Sequence, residues 1–423
     1  MVQRWQVGLW VILPLFCLIG DVHAGGLYLF EIGSPDVGVA NAGYAARAQD
    51  ASTAFTNPAG MTRLEKPEIL LGAQPMYLNL EFSSDANTTA TGPDGDSDAW
   101  MPAGGLFYVQ PVNDKLWLGL AVTGYFGLAL DYQDGWVGRY YLKEGVLQAA
   151  AIQPAVAWKF NERFSVGLGV AAIYGVLDEK VAVNNVLDAL PDGELEYSDE
   201  DWSVQFNFGL LFEPWDGTRF GITYLSEADL DFSDRAEFND LGPSLEAIFS
   251  SGGLLNSKLD LGMKMPQAVM FSVYHECTDR LALLANLGWQ DWSKFGKVDV
   301  SVDTDTITSL TTDLDYKDTW HVALGAHYRI SKPWLLSAGL AYDSAMMDEE
   351  DITPSLPSGE VWRFALGSRY SWSENLAFGA AYELAWSGDL DMDVERGPLA
   401  GRVSGTYENT ALHFVSLNMK WTF

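Results

Sequence analysis

From Glu68 to Phe423 the chain repeats one pattern: apolar residues at every second position, broken by polar connections that alternate between short and long. A period of two puts successive side chains on opposite faces of an extended backbone, so this stretch predicts strand after strand. Glu68–Phe82 and Met101–Gln110 read as the first two, separated by the polar Ser83–Trp100. Short turns are expected at Pro111–Asp114, Asn161–Arg163, Pro214–Gly217, Cys277–Arg280, Ser331–Pro333 and Ser373–Asn375. Long connections are expected at Asp131–Glu144, Asp178–Asp201, Ala228–Ser257, Lys297–Asp315, Asp343–Gly359 and Ser387–Arg402. With Ser83–Trp100 these make thirteen connections and therefore fourteen strands. Short turns at one end and long loops at the other, with an even strand number, are the plan of a transmembrane β-barrel.

Parity defines two faces. Trp320, Val322, Leu324, Ala326, Tyr328 and Ile330 share one, opposite His321, Ala323, Gly325, His327 and Arg329. Trp362, Phe364, Leu366 and Tyr370 oppose Arg363, Ala365, Gly367 and Arg369. Val415, Leu417, Met419, Trp421 and Phe423 oppose Ser416, Asn418 and Lys420. A soluble sandwich would turn the apolar face inward, and alternation by itself does not choose. Three features do: an export signal, aromatic residues near the ends of the apolar faces, and a terminal Phe423 after alternating apolar residues, the signal read by barrel-insertion machinery.

The export signal occupies residues 1–24. Arg4 supplies a positive start, Val7–Ile19 an apolar run, and Val22-His23-Ala24 a small-residue cleavage site. Phe16 stands before Cys17 where a lipoprotein signal needs Gly or Ala. No other apolar run reaches the ~18 residues of a membrane helix. Yet the chain is 48% hydrophobic, with 16 Trp, 18 Tyr and 21 Phe, which suits strands facing lipid.

A net charge of −32 argues against a nucleic-acid partner. Acids gather in Asp343–Asp351 (DSAMMDEED) and Asp389–Glu395 (DLDMDVE), read as solvated loop surface or, more sharply, as divalent-cation ligands among anionic headgroups. Only Cys277 follows the signal, so no internal disulfide is expected.

Between the signal and the strands lies Ala45–Leu64, centred on Asn57-Pro58-Ala59-Gly60-Met61. Pro58 fixes its own φ and pushes Asn57 to extended backbone, while Ala59 and Gly60 leave room for close approach of other backbone. The small residues before it suit a short helical turn with Asp50 as N-cap. An isolated Asn-Pro is ordinarily only a surface turn. This stretch, DASTAFTNPAGMTRL, however, resembles the N-terminal hatch of the FadL-type outer-membrane channels for long-chain fatty acids and other hydrophobic compounds, at Asn57, Pro58 and Ala59 specifically. The resemblance implies an all-β fold: a 14-stranded antiparallel transmembrane β-barrel (residues 67–423) with an N-terminal hatch (25–66) plugging the lumen. It implies an inward kink in the third strand, a lateral exit into the membrane, and a hatch motif packed by that kink.

In the third strand, Lys115–Leu130, Gly124 and Gly127 (VTGYFGLAL) are the kink candidates; glycines in a strand mark a bulge or close approach, or simply a loss of bulk. Two loops carry apolar residues beside a proline and are expected to form short helices: Val186, Leu187 and Leu190 in Asn184–Leu190, and Leu245, Ile248, Phe249, Leu254 and Leu255 in Ser244–Leu255. They read either as loops packed on each other as a lid or, by the resemblance, as an outer greasy groove that first captures the solute. A carboxylated solute would need a cation inside. Arg329, Arg363, Arg369 and Lys420 have lumen parity, Arg47 lies on the hatch side, and acids such as Glu383 are placed to pair with them. Toluene-like hydrocarbons, carried by relatives of the family, need no such group.

Catalytic chemistry finds little support. His321 and His327 share a strand face roughly 20 Å apart at ~3.3 Å per residue, too far to hold one metal. Gly167-x-Gly169 lies within a strand (SVGLGVAAIYG) and lacks the helix a dinucleotide fold requires, so barrel-wall packing explains it better. No Ser, His and acid trio stands out. The expectation is a monomeric channel without metal or cofactor, embedded in outer-membrane lipid and lipopolysaccharide. Its ligand would be a long-chain fatty acid or hydrocarbon. The alternatives are a general porin for hydrophilic solutes, recognisable by steady ion conductance, and a surface adhesin or phage receptor using the acidic loops.

Overall fold

The structure, a computed structural model, describes residues 28–295, 297–303 and 308–423. The export signal expected at 1–24 lies outside the described residues. Fourteen antiparallel strands close into one barrel. They are β1 Glu68–Ser84, β2 Ala99–Asn113, β3 Leu116–Asp131, β4 Glu144–Asn161 and β5 Phe164–Val183. β6 is Gly193–Trp215, β7 Thr218–Leu225, β8 Ala268–Glu276, β9 Leu281–Gln290 and β10 Thr319–Arg329. β11 Trp334–Asp343, β12 Val361–Ser371, β13 Leu376–Glu395 and β14 Arg402–Thr422 complete the wall. Each strand pairs with the next, and β14 returns to β1 with Glu68 opposite Thr422, so the barrel has no free edge there.

The faces fall as parity requires. Leu324, Leu366 and Leu417 are 62%, 66% and 56% exposed on the outside, whereas Ala323, Ala365 and Ser416 are buried within. Trp100, Trp202, Trp320, Trp372 and Trp421 lie exposed near the ends of the outer face, the position of an interfacial aromatic girdle.

The strands run further than hydrophobicity indicates. The expected loop Asp178–Asp201 is mostly paired strand, because β5 and β6 stay in register out to Val183 and Gly193. Ala228–Ser257 holds the strand Ala228–Arg235, a short Glu237–Asn239 strand and the helix Pro243–Ser251. Lys297–Asp315 holds the strands Lys297–Asp303 and Thr308–Asp313, and most of Ser387–Arg402 is the outer half of β13. Beyond the bilayer neither face needs to be apolar, so the alternation fades while the backbone ladder continues. Lys180 opposite Glu196 and bridged to Glu144 at 2.9 Å shows what replaces it. In this extension Ala228–Arg235, Lys258–Met265, Lys297–Asp303 and Thr308–Asp313 form a separate four-stranded sheet.

Inside the wall, residues 28–64 are almost wholly buried. Two long loops also fold inward and close the outer mouth. Tyr132 stacks on Trp136 with ring centroids 4.1 Å apart, and its hydroxyl lies 3.0 Å from that of Tyr407. Met346, Met347, Ile352 and Leu356 of the 344–360 loop are buried beside them. A straight aqueous passage is therefore blocked twice, by these loops and by the hatch.

Candidate functional site

The Asn57-Pro58-Ala59 element is built as its sequence dictates. Asn57 is extended (φ −160°), and its Oδ1 accepts from Ala59 N at 3.1 Å, capping the 3₁₀ turn Pro58–Arg63. Its Nδ2 donates to Ala45 O within the hatch (2.6 Å) and to Leu210 O on β6 (3.0 Å). One side chain thus holds the motif, its own segment and the wall together. The contact with the wall depends on two opposed glycines, Gly167 of β5 and Gly209 of β6. A Cβ at Gly209 would lie 2.0 Å from Asn57 Oδ1, and one at Gly167 would lie 2.3 Å from Ala59 N. The motif therefore packs on β5 and β6. This corrects the expectation that the motif sits by the β3 kink: β3 meets the 3₁₀ turn of the motif at Gly119, against Met61, short of the kink. Asp50 also differs from expectation. The helical turn is Thr53–Thr56 with Ser52 at its N-cap position, while Asp50 binds Arg47 (2.6 Å) and Ser52 Oγ (2.5 Å). Burial alone would raise Asp50, yet Arg47, then Lys420 and Ser52, hold it below the usual carboxylate range.

β3 is irregular at the two candidate glycines, Gly124 and Gly127. Pairing to β4 slips between Gly124 and Phe126, and Gly127 takes φ +158°. Tyr125 shares the lumen side with Ala121 and Thr123, its carbonyl receiving Leu29 N at 2.8 Å, and the slip brings Phe126 and Leu130 inside as well. Its consequence lies on the other edge. β2 and β3 pair only from Gly105–Thr123 down to Asn113–Leu116, so residues 99–104 and 124–131 face each other unbonded. A cavity of about 420 Å³ fills the gap. Its lining includes Leu29, Met76 and Met101, which belong to the interior, and Gln148, Tyr174 and Val176, which alternate with buried residues and face outward. The cavity therefore passes through the wall. A Cβ on Gly124 would meet nothing within 4 Å, because this glycine borders the opening.

A second cavity shares Leu29, Met76, Met101 and Gly127 with the first and runs inward between β1, β12, β13 and β14. Leu78, Leu80, Leu128, Leu356 and Phe414 make it apolar, and Arg363 is its charged residue. Arg363 is buried and bound by three carboxylates: Asp343 at 2.6 Å, Glu31 of the hatch at 2.7 Å and Glu383 at 3.2 Å. Asp343 also takes His321 Nδ1 at 2.6 Å, so it is a lumenal ion-pair partner and not the loop acid its sequence position suggests. The other cations lie elsewhere. Lys420 pairs with Glu68 (2.8 Å), Arg47 is bound by Asp36 (2.5 Å) and Asp50, and Arg329 is exposed. Arg369 lines a small polar pocket with Arg47 and His327 beneath the hatch, at the short-turn end. Of the four candidate headgroup residues only Arg363 reaches the apolar cavity.

The outer loops are clasped by polar contacts. Asp188 receives Ser244 N (2.9 Å) and Ser244 Oγ (2.6 Å) at the start of the Pro243–Ser251 helix, and Asn185 Oδ1 receives Gly242 N at 2.7 Å. Asn184–Leu190 forms turns where a helix was expected, since the Asn184 and Asn185 side chains bind backbone groups in competition with helical bonding. Leu245, Phe249 and Leu254 are buried, with Phe249 against Phe238 at 5.2 Å, and Ile248 and Leu255 are half-buried. Val186, Leu187 and Leu190 remain 59%, 56% and 49% exposed. The expected groove residues thus separate into a packed set and an exposed set.

Comparison with known proteins agrees with this architecture. A profile of the family described as outer membrane protein transport protein (OMPP1/FadL/TodX) matches residues 15–423. Outer membrane protein P1 of Haemophilus influenzae is 28% identical, covering 86% of each chain. The long-chain fatty acid transport protein of Escherichia coli is 26% identical over 85% of this chain and 86% of its own. The crystal structure of a Pseudomonas aeruginosa FadL homologue superposes with a TM-score of 0.83 at 20% identity, covering 94% of this chain and all of that one. The chain belongs to the OMPP1/FadL/TodX family of outer-membrane transport proteins.

Proposed function

We propose that the protein takes up hydrophobic compounds, long-chain fatty acids or hydrocarbons, and releases them sideways through its own wall into the outer membrane. The observation that carries this reading is the cavity between β2 and β3, lined by residues from both faces of one sheet. A hydrophobic solute gains roughly 25 cal/mol for each Å² of apolar surface kept from water, so a path of apolar cavities opening into lipid needs no energy source. The exposed Val186, Leu187 and Leu190 would serve first capture, the Arg363 cavity would hold the solute, and Gly124 and Gly127 would border the exit. The protein would work as a monomer among lipid and lipopolysaccharide, without cofactor or catalysis. A general porin reading lacks an open lumen, and no observation favours an adhesin.

Mass spectrometry of the barrel extracted in detergent tests the proposal. A co-purifying lipid or hydrocarbon, together with faster uptake of labelled oleate or alkane by cells making the protein, is expected. Steady conductance for small hydrophilic ions without hydrophobe uptake would contradict it.

A further inference from the structure

The small pocket beneath the hatch has only basic and neutral walls. Arg47, His327 and Arg369 are its ionisable lining residues, with Gln49, Ser337 and Asn418 among the neutral polar ones, and among the described residues no carboxylate lines it. The acids nearby are occupied. Asp36 binds Arg47 and the Ser34 hydroxyl, Asp50 binds Arg47 and Ser52, and Glu68 accepts from Ala51 N and pairs with Lys420. Arg219 gives its guanidinium to Ala46 O, Arg47 O and the face of the Tyr274 ring. Arg369 is left over. It feels the charges of Asp50, Glu68, Arg47 and Arg329 but makes no hydrogen bond or ion pair among the described residues, although it is half-buried. In the lumen below the hatch the four cations Arg47, Arg219, Arg369 and Lys420 thus face three acids, Asp36, Asp50 and Glu68.

Two further polar atoms of the lining residues are buried without a partner, His327 Nδ1 and Gln49 Oε1, and His327 is only 5% exposed. Nδ1 can carry the ring proton and act as a donor. Turning the Gln49 amide over lets the Tyr274 hydroxyl, now 2.8 Å from Nε2, donate to Oε1 and leaves Nε2 free to donate as well. A guanidinium, an imidazole N–H and amide N–H groups with no acid among them form a donor set for an anion. The pocket holds about 20 Å³, room for one atom of about water's size and too little for a phosphate or a chain-borne carboxylate. We propose that it binds a single halide ion, chloride under ordinary conditions. The ion balances Arg369 and joins Gln49 of the hatch to His327 of β10, Arg369 of β12 and Asn418 of β14, so it holds the hatch seated from below. The site is separate from the apolar cavities of the solute path.

The test is urea unfolding of the full-length protein in detergent as sodium chloride replaces sodium gluconate, an anion too large for the pocket, at constant ionic strength so that screening is unchanged. The midpoint should rise with chloride, the folded-to-unfolded ratio gaining about elevenfold when chloride reaches ten times its dissociation constant. Bromide should replace chloride, and crystals grown in bromide should show its anomalous signal beside Arg369. Arg369→Gln should abolish both the chloride dependence and the signal, and His327→Leu supplies the same readout if that variant fails to assemble. Equal midpoints in chloride and gluconate would overturn the proposal; a bromide signal accompanied by equal midpoints would mark an adventitious ion only. A chloride dependence that survives in both variants would place the ion elsewhere and equally overturn it.

Discussion

The hydroxyl of Tyr125 donates to Gln205 Oε1 at 2.6 Å, tying the inward bulge of β3 to β6 across the lumen. The ring packs against Phe55 of the hatch (5.1 Å between centroids) and Tyr28 (6.0 Å), and Gln205 Nε2 donates on to Ser226 O at 2.7 Å. Tyr125→Phe keeps the packing and removes the pin. Leaving the Gln205 acceptor unpaired costs about 1–3 kcal/mol, enough to let β3 straighten toward β2. The expected outcome is an assembled barrel that takes up labelled hydrophobe several-fold more slowly, measured as an initial rate per folded protein.

The seat of the hatch is tested at Gly209. A Cβ there occupies the position of Asn57 Oδ1, so Gly209→Val should displace the Asn57-Pro58-Ala59 element without touching the outer face of β6. Planar bilayers should register steady ion conductance for the variant where the parent protein is closed. Heat-modifiable migration on gels checks that the barrel still forms.

Arg363 pairs with the buried Glu31 and Glu383 and the partly exposed Asp343, and removing one partner of a buried pair costs about 3–5 kcal/mol. Arg363→Ala should lower the midpoint of urea unfolding accordingly at neutral pH. Adding Asp343→Asn should recover part of the loss, since it removes one of the acids that the substitution leaves without a counter-ion. Arg363→Lys keeps the charge without the planar fork and should fall between.

How much of this was legible depended on whether a single strand carried the signal. Lipid on one side forces the alternation at Trp320–Ile330 and at Val415–Phe423, so strand number and facing could be read. Outside the bilayer that force is absent, and the Lys180–Glu196 ladder looked like loop. Asn57-Pro58 announced a turn, but its seat is a pair of glycines on different strands, Gly167 and Gly209, whose meeting depends on register. Wall packing accounts for Gly167 within its own strand and is silent about the hatch. The Arg363 cluster draws Glu31 from 332 positions away, a distance across which no local pattern acts. Glu383 was recognisable as a lumenal acid; Asp343, at a strand end beside an acidic loop, was not.

The most direct test of lateral release is the Gly124→Trp variant. The space beside Gly124 is empty, so an indole can enter the gap between β2 and β3 without displacing backbone. The G124W protein should assemble with an unfolding midpoint close to that of the parent and should deliver labelled oleate or alkane to the membrane at least about tenfold more slowly, the factor that ~1.4 kcal/mol of added barrier produces. Uptake at the parental rate with the indole in place would contradict release through the wall.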